Sequence, residues 1–148
     1  LDHGVPGVEL DGKNAELFQR ALEALSARLG QAARNIYIEN TTYDLTFFGG
    51  TIMRNSCRIC MDAGHLSLYN YNFGRFVEIF GQRIEQVHLH GVVGDRDHQA
   101  LTGFDVVTEK SISRLLHIFT GSVIIEVYNF HDLVKSTEYI EHVFNLKC

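Results

Sequence analysis

Glu39, Asp62, His88 and Glu126 each stand at or near the end of a short apolar run, at intervals of 23, 26 and 38 residues. Loops just after these runs add Asp44, His65, Asp95, Asp97 and His98, and His90 follows His88 by two. Charged groups are costly inside a protein unless they are paired or bound to a metal. Carboxylates and imidazoles brought together offer the oxygen and nitrogen donors that a divalent cation such as Mn, Zn or Fe takes. Each residue taken singly has a plainer reading. Glu39 suits a salt bridge, and Asp62-Ala63-Gly64-His65 suits a turn that caps a helix. The set of four is the signal, because four separate plain reasons would otherwise be needed.

His88 and His90, two apart on one extended run, share a face, so one suits a ligand and the other a substrate contact or supporting group. His117 and His142 fall in helical patterns and read as surface or packing residues, and His131 is a weaker candidate at the mouth of a site. Cys57-Arg58-Ile59-Cys60 has C-x-x-C spacing but runs into a strand rather than a helix N-terminus. With no second such pair it does not read as a zinc site, so Cys57 and Cys60 are expected in the core and Cys148 as a free thiol. No G-x-x-x-x-G-K and no G-x-S-x-G motif occurs, so nucleoside-triphosphate and serine-hydrolase chemistry have no support.

The elements that must position these residues are legible as an alternation. Four apolar runs read as buried strands: Ile36 to Glu39, Arg58 to Asp62, Gln86 to His90 and Val123 to Val127. None has a sustained polar face, which suits a parallel sheet covered on both sides. Between them lie helical stripes. Leu17, Ala21, Leu22, Leu25 and Leu29 form one, with Gly30 as its stop. Phe73, Phe76, Val77, Phe80 and Ile84 form a second, and Ile112, Leu115, Leu116 and Phe119 a third. Leu133, Val134, Ile140, Val143 and Phe144 form the last, and Thr46 to Arg54 reads as a short helix weakened by Gly49-Gly50. Strands alternating with helices give the α/β class, and in parallel α/β sheets and barrels the C-terminal strand ends carry the active site.

The 148 residues, 45% hydrophobic, are enough for a single domain spanning 1–148, and the apolar fraction excludes disorder. No apolar run approaches the roughly 20 residues of a membrane span. A net charge of −5, with 13 Lys and Arg and no basic run, argues against nucleic-acid binding. Three cysteines and no secretory signal at the start point to a cytoplasmic location. The chain opens at Leu1 rather than Met, and it reads as a fragment.

In order along the chain, Glu39-Asn40-Thr41, Cys60-Met61-Asp62-Ala63-Gly64-His65, His88-Leu89-His90-Gly91-Val92, Asp97-His98-Gln99-Ala100-Leu101 and Ile125-Glu126-Val127 resemble the xylose-isomerase-like barrels. That superfamily includes endonuclease IV and sugar epimerases. Asp-Ala-Gly-His, then His-Leu-His-Gly, then Asp-His-Gln-Ala-Leu is most similar to the cobamide-remodelling phosphodiesterases within it. The resemblance implies the C-terminal part of a (β/α)8 TIM barrel of about 250 residues. It implies a metal core of Glu39, Asp62, His88 and Glu126, extended in multi-metal members by His65, His98 and His3. His3-Gly4 resembles the family's His-Pro-Gly without its middle residue. Arg96-Asp97-His98 stands where the family often has Asp-x-His, which leaves Asp95 and Asp97 both open as the acidic partner.

The expected chemistry is metal-dependent phosphodiester hydrolysis on a cobamide. Glu126 or Asp97 would orient the attacking water and His90 would contact the phosphate. The alternative is a metal-dependent sugar isomerase or epimerase with Glu39 and Glu126 as the acid/base pair. Endonuclease action on DNA is disfavoured by the charge, and a non-catalytic interaction module is a further reading. Tyr69 to Phe73 and Phe47-Phe48 read as packing residues before a site lining. Open sheet edges on such a partial barrel imply self-association.

Overall fold

A computed structural model of the chain describes residues 12–55 and 57–145. Four strands, β1 (Tyr37–Glu39), β2 (Arg58–Asp62), β3 (Ile84–Leu89) and β6 (Ser122–Ile125), form one parallel sheet in the order β1-β2-β3-β6. Strands adjacent in this sheet follow one another along the chain, apart from a hairpin set between β3 and β6. Helices alternate with the strands: α1 (Gly12–Leu29), α2 (Gly49–Arg54), α3 (Ala63–Leu68), α4 (Phe73–Phe80), α5 (Val106–Ile118) and α6 (Phe130–Val143). The α/β class and all four expected strands are present, shifted by a residue or two at their ends.

Local chemistry starts these helices where the sequence provides a side-chain acceptor. Asp62, Asn72, Asp105 and Asn129 each accept a backbone N–H at the N-terminus of α3, α4, α5 and α6. Asp44 is also a cap: its Oδ1 takes the Thr46 N–H at 2.9 Å and the Thr46 hydroxyl at 2.6 Å, ahead of a 3₁₀ turn at Leu45–Phe48. That turn runs into α2, so the expected helix over Thr46 to Arg54 forms as two short pieces.

The core lies where β2 and β3 meet α3, α4 and α5. Ile59, Met61, Val87 and Leu89 are fully buried beside Leu66, Phe76, Phe80 and Ile112. Phe76 and Phe80, one turn apart, pack at 5.0 Å between ring centroids. Each such side chain taken from water contributes about 2 to 3 kcal/mol.

Four expectations are corrected. The outer strands are not covered on both sides: Tyr37 on β1 and Val123 and Ile124 on β6 are each 38% exposed, because they lie on the sheet edges. On α1 the buried face is not the leucine stripe. Leu22 is buried, but Leu17, Leu25 and Leu29 are exposed, because the helix turns Phe18 inward onto Phe48 at 4.1 Å and Tyr43 at 6.4 Å. Leu133 and Val134 of α6 are also exposed, and that helix buries Ile140 and, just beyond it, Phe144 instead. Ile84 belongs to β3 rather than to the helix before it, since the 3₁₀ turn Gly81–Arg83 ends that helix.

The segment after His90 is not a loop. Gly91–Val93 (β4) and Arg96–Gln99 (β5) pair antiparallel across a turn in which Gly94 takes φ +65°. Gly-Asp between short runs is a hairpin signal. Gly91 is held tightly there, since a Cβ on it would lie 2.1 Å from the Ala100 carbonyl oxygen.

Candidate metal centre

The parallel register brings the strand ends together. Asp62 on β2 lies opposite His88 on β3, and Glu39 ends β1 opposite Cys60. Glu126 follows β6 directly, and its N–H donates to the Leu89 carbonyl at 3.0 Å, which extends the ladder by one residue. The four side chains meet at His88. Its Nδ1 lies 3.0 Å from Glu126 Oε2, 3.2 Å from Glu39 Oε1 and 4.0 Å from Asp62 Oδ2. Glu39, Asp62, His88 and Glu126 can each offer one donor atom within 4.8 Å of the others.

A second set adjoins the first. His65, on the first turn of α3, has Nδ1 3.2 Å from Asp62 Oδ2 and Nε2 3.3 Å from Asp97 Oδ2. Asp97 and His98 come from β5, with Asp97 Oδ1 3.1 Å from His98 Nδ1. His98 Nε2 is 3.6 Å from Glu126 Oε2, which closes the ring of contacts back to the first set. Between the two candidate acids of the hairpin, Asp97 faces the cluster, while Asp95 sits exposed on the turn.

Charge within the cluster follows from this crowding. Burial works against the Asp62 carboxylate, but His65 and His90 outweigh it and hold its pKa well below the usual range. His88 is pushed up to about 11, by Cys60 first and then Glu39, against the opposing effect of burial. Burial lowers the His65 pKa, yet Asp62 and then Asp97 bring it up to about 9. Burial also pulls Asp97 upward, and His98 and His65 leave it lowered on balance.

The residues fit a cation on an observation independent of distance. Among the described residues, the buried side-chain nitrogen and oxygen atoms without a hydrogen-bond partner are Ser26 Oγ and six atoms of this cluster: Asp62 Oδ2, His65 Nδ1, His88 Nδ1, His90 Nε2, His98 Nδ1 and Glu126 Oε2. Orphaned buried polar atoms are uncommon in native proteins, and all six belong to side chains of two groups that could hold a metal ion: Glu39, Asp62, His88 and Glu126 in one, and His65, His90 and His98 in the other. Side-chain clusters that could hold a metal ion are therefore present at the C-terminal end of the sheet.

The sequence-predicted residues fall into three groups. Glu39, Asp62, His65, His88, Asp97, His98 and Glu126 are brought together, and His90 lies beneath them with none of its surface exposed. That burial does not suit the expected contact with a phosphate. His3 lies outside the described residues, as does Cys148. His117, His131 and His142 are exposed and outside the cluster. Asp62 also shows that the capping and site readings are not rivals: Oδ1 caps α3 through the His65 N–H at 2.8 Å while Oδ2 faces the imidazoles.

Three residues of the site went unread in the sequence. Cys60 is buried as expected, but it also forms a possible donor group with Glu39 and His88. Its position two before Asp62 on one strand places both on one face, and that was the available signal. Tyr128 stacks on His98 with centroids 4.9 Å apart and planes at 21°, and is 78% exposed at the rim. Tyr69 lies against His65 at 6.2 Å, while Phe48 and Phe73 are buried as packing residues and Phe47 is exposed. Asn40 is fully buried and clamps β1 to β2: its Nδ2 donates to the Asp62 carbonyl at 2.8 Å, and its Oδ1 accepts the Asp62 N–H at 2.9 Å.

Asn40→Ala leaves both Asp62 main-chain groups unpaired in the interior. The expected result is a loss of about 2 to 5 kcal/mol in unfolding free energy, measured by urea denaturation. Unchanged stability would show that the clamp contributes nothing.

The chain matches no family model, no curated protein and no solved structure.

Proposed function

We propose that this chain supplies the later strands of a (β/α)8 barrel of the xylose-isomerase-like kind and works as a metal-dependent phosphodiesterase on the nucleotide-loop phosphodiester of cobamides. The observation that supports this best is the double donor set. Glu39, Asp62, His88 and Glu126 form one group, and His65, Asp97 and His98 adjoin it. A second set is more than a one-metal isomerase needs, and paired ions suit the in-line displacement at phosphorus.

In this reading Mn, Zn or Fe is held first by Glu39, Asp62, His88 and Glu126. The ion would supply Lewis acidity that polarises a phosphoryl oxygen and acidifies water. The residues of the chain do the rest. Glu126 and Asp97 are the site carboxylates that reach the mouth, with side chains 39% exposed, and they orient the attacking water and accept its proton. Water oxygen bonds to phosphorus, the ester P–O bond breaks, and the proton passes to the departing oxygen. Tyr128, stacked on His98, offers its open face to a ring of the substrate.

The alternative, a sugar isomerase or epimerase, draws on Glu39 and Glu126, which lie on either side of His88 at 3.2 and 3.0 Å. Incubation of the metal-loaded protein with a cobamide decides between them. Release of the lower-ligand nucleoside and cobinamide phosphate is expected. Ketose or epimer interconversion without phosphodiester cleavage would select the isomerase, and turnover of neither would overturn both.

The partners in this reading are a small molecule and a second copy of the chain, not nucleic acid. No described helix is long and apolar enough to cross a membrane. Buried free thiols at Cys57 and Cys60 suit a reducing cytoplasm. Among the described residues, the β1 and β6 edges present unpaired backbone to a second chain. Sedimentation velocity is expected to show concentration-dependent association that Val123→Lys weakens, and a monomer at all concentrations would end the self-association reading.

A further inference from the structure

His90 has a ring nitrogen within 4.8 Å of donor atoms of His65 and His98, a spacing that a metal ion could use, but its surroundings point to another role. Its ring has no exposed surface and lies flat against Gly64, where a Cβ would come 2.1 Å from His90 Cε1 and 2.3 Å from Nδ1. The ring also stacks on His98, with centroids 4.3 Å apart and planes at 9°. Two groups approach Nδ1. The His98 backbone N–H donates to it at 3.0 Å, and the Gly91 carbonyl oxygen lies 3.1 Å away. A backbone amide is a fixed donor, so it pairs with Nδ1 in the tautomer that leaves a lone pair there, and the contact with Gly91 O is the one that the other tautomer would use. The first tautomer puts the ring proton on Nε2. This N–H is the group 3.0 Å from Asp62 Oδ1, in a bent contact.

Both ends of the ring therefore serve other residues. Nε2 faces a carboxylate of the first donor set. Nδ1 holds the main chain of His98, which sits at φ +51°, a left-handed conformation that a residue with a side chain adopts at a cost. That conformation turns the His98 imidazole toward Asp97 and Glu126. We propose that His90 is a positioning residue that carries its proton on Nε2, binds no metal, and ties the hairpin with Asp97 and His98 to the sheet that bears Asp62. The proposal rests on the metal-site reading for its consequence, but the tautomer is a property of the metal-free chain. It also assigns Gly64 its reason: only a residue without Cβ lets the ring lie there.

The test is long-range ¹H–¹⁵N NMR of the imidazoles in the metal-free and zinc-loaded protein, with His90→Gln and His90→Ala. The proposal expects a His90 Nε2–H signature in both states. Glutamine keeps an acceptor and a donor at its end but is a poor metal ligand. His90→Gln is expected to keep zinc stoichiometry and to bind within a few-fold of the unmodified chain. His90→Ala is expected to weaken zinc binding about 10- to 100-fold, the usual loss when a supporting partner of a ligand is removed. An Nδ1–H tautomer, a direct zinc shift on Nε2, or loss of one zinc equivalent in His90→Gln would overturn the assignment and make His90 a ligand. If the unmodified chain takes no zinc, the metal-site reading fails, while the tautomer measured without metal still decides the role of His90. If His90→Ala fails to fold, the NMR signature and His90→Gln carry the decision.

Discussion

Asp62→Asn is expected to abolish stoichiometric metal binding while leaving the fold intact. The reason lies in how the two carboxylate oxygens divide their work. Oδ1 caps α3 by accepting the His65 N–H at 2.8 Å, and an amide oxygen can do the same. Oδ2 is fully buried and faces His65 at 3.2 Å and His88 at 4.0 Å without a hydrogen-bond partner. An amide there removes the negative charge and puts either a weak donor atom or an N–H toward the cation. The affinity is expected to fall by more than about 100-fold, beyond the range seen when only a supporting residue is lost. The same substitution deprives His65 of its main anionic partner, so its pKa falls from about 9 toward the ordinary imidazole range. Competition with a chromogenic chelator reads the first effect and NMR titration the second. Full metal occupancy in the variant would remove Asp62 from the donor set.

Metal binding is expected to strengthen steeply with pH and to expel protons. Ligands must be deprotonated to bind a cation. In the metal-free chain His88 stays protonated to about pH 11, held by Cys60 and Glu39, and His65 to about pH 9, held by Asp62 and Asp97 against burial. The first ion must displace the His88 proton, so its apparent affinity rises about tenfold per pH unit from neutrality upward. A second ion that uses His65 gains at the same rate until about pH 9 and then levels off. Calorimetry in buffers of different ionisation enthalpy counts the protons at pH 7: about one for the first set alone, two when both fill. Zero release would contradict the charge state of the cluster.

Folding stability without metal moves the other way. Both imidazoles have folded pKa values above the unfolded value of about 6.5. Their contribution is complete below that pH and disappears as pH rises through about 9 for His65 and about 11 for His88. The unfolding midpoint of the metal-free chain is therefore expected to fall on the alkaline side. That of the metal-loaded chain is expected to hold or rise over the same range.

Much of this site could be read in the chain because two patterns coincide. Short apolar runs locate the strands, and a parallel sheet places what ends them on one side. Glu39, Asp62, His88 and Glu126 were legible for that reason. The remainder was hidden by ambiguity of side-chain type. Cys60 in Arg-Ile-Cys-Met-Asp reads as one more core residue, since a thiol is as apolar as its neighbours. Asn40 reads as a turn residue, and nothing local reveals that its amide spans two strands. Helix α1 carries apolar residues on two faces, and only the Phe18–Phe48 contact settles which one turns inward. The hairpin is hard to read from sequence because its strands are three and four residues long and half exposed.

That hairpin divides the donors by their backbone. Glu39, Asp62, His88 and Glu126 sit at the ends of strands of the parallel sheet, whereas Asp97 and His98 ride on β5, a strand that among the described residues pairs with β4 alone. The excursion leaves after His90 and the chain returns through α5 to place β6 directly beside β3. Its length and sequence can therefore drift without changing the register that builds the first donor set. The sheet acts as a fixed chassis and the hairpin as an exchangeable cartridge. Grafting hairpins with other donors between Gly91 and Ala100 should retune the second set while the first stays as it is, and a lineage could gain or lose a metal by editing about ten residues of surface ribbon.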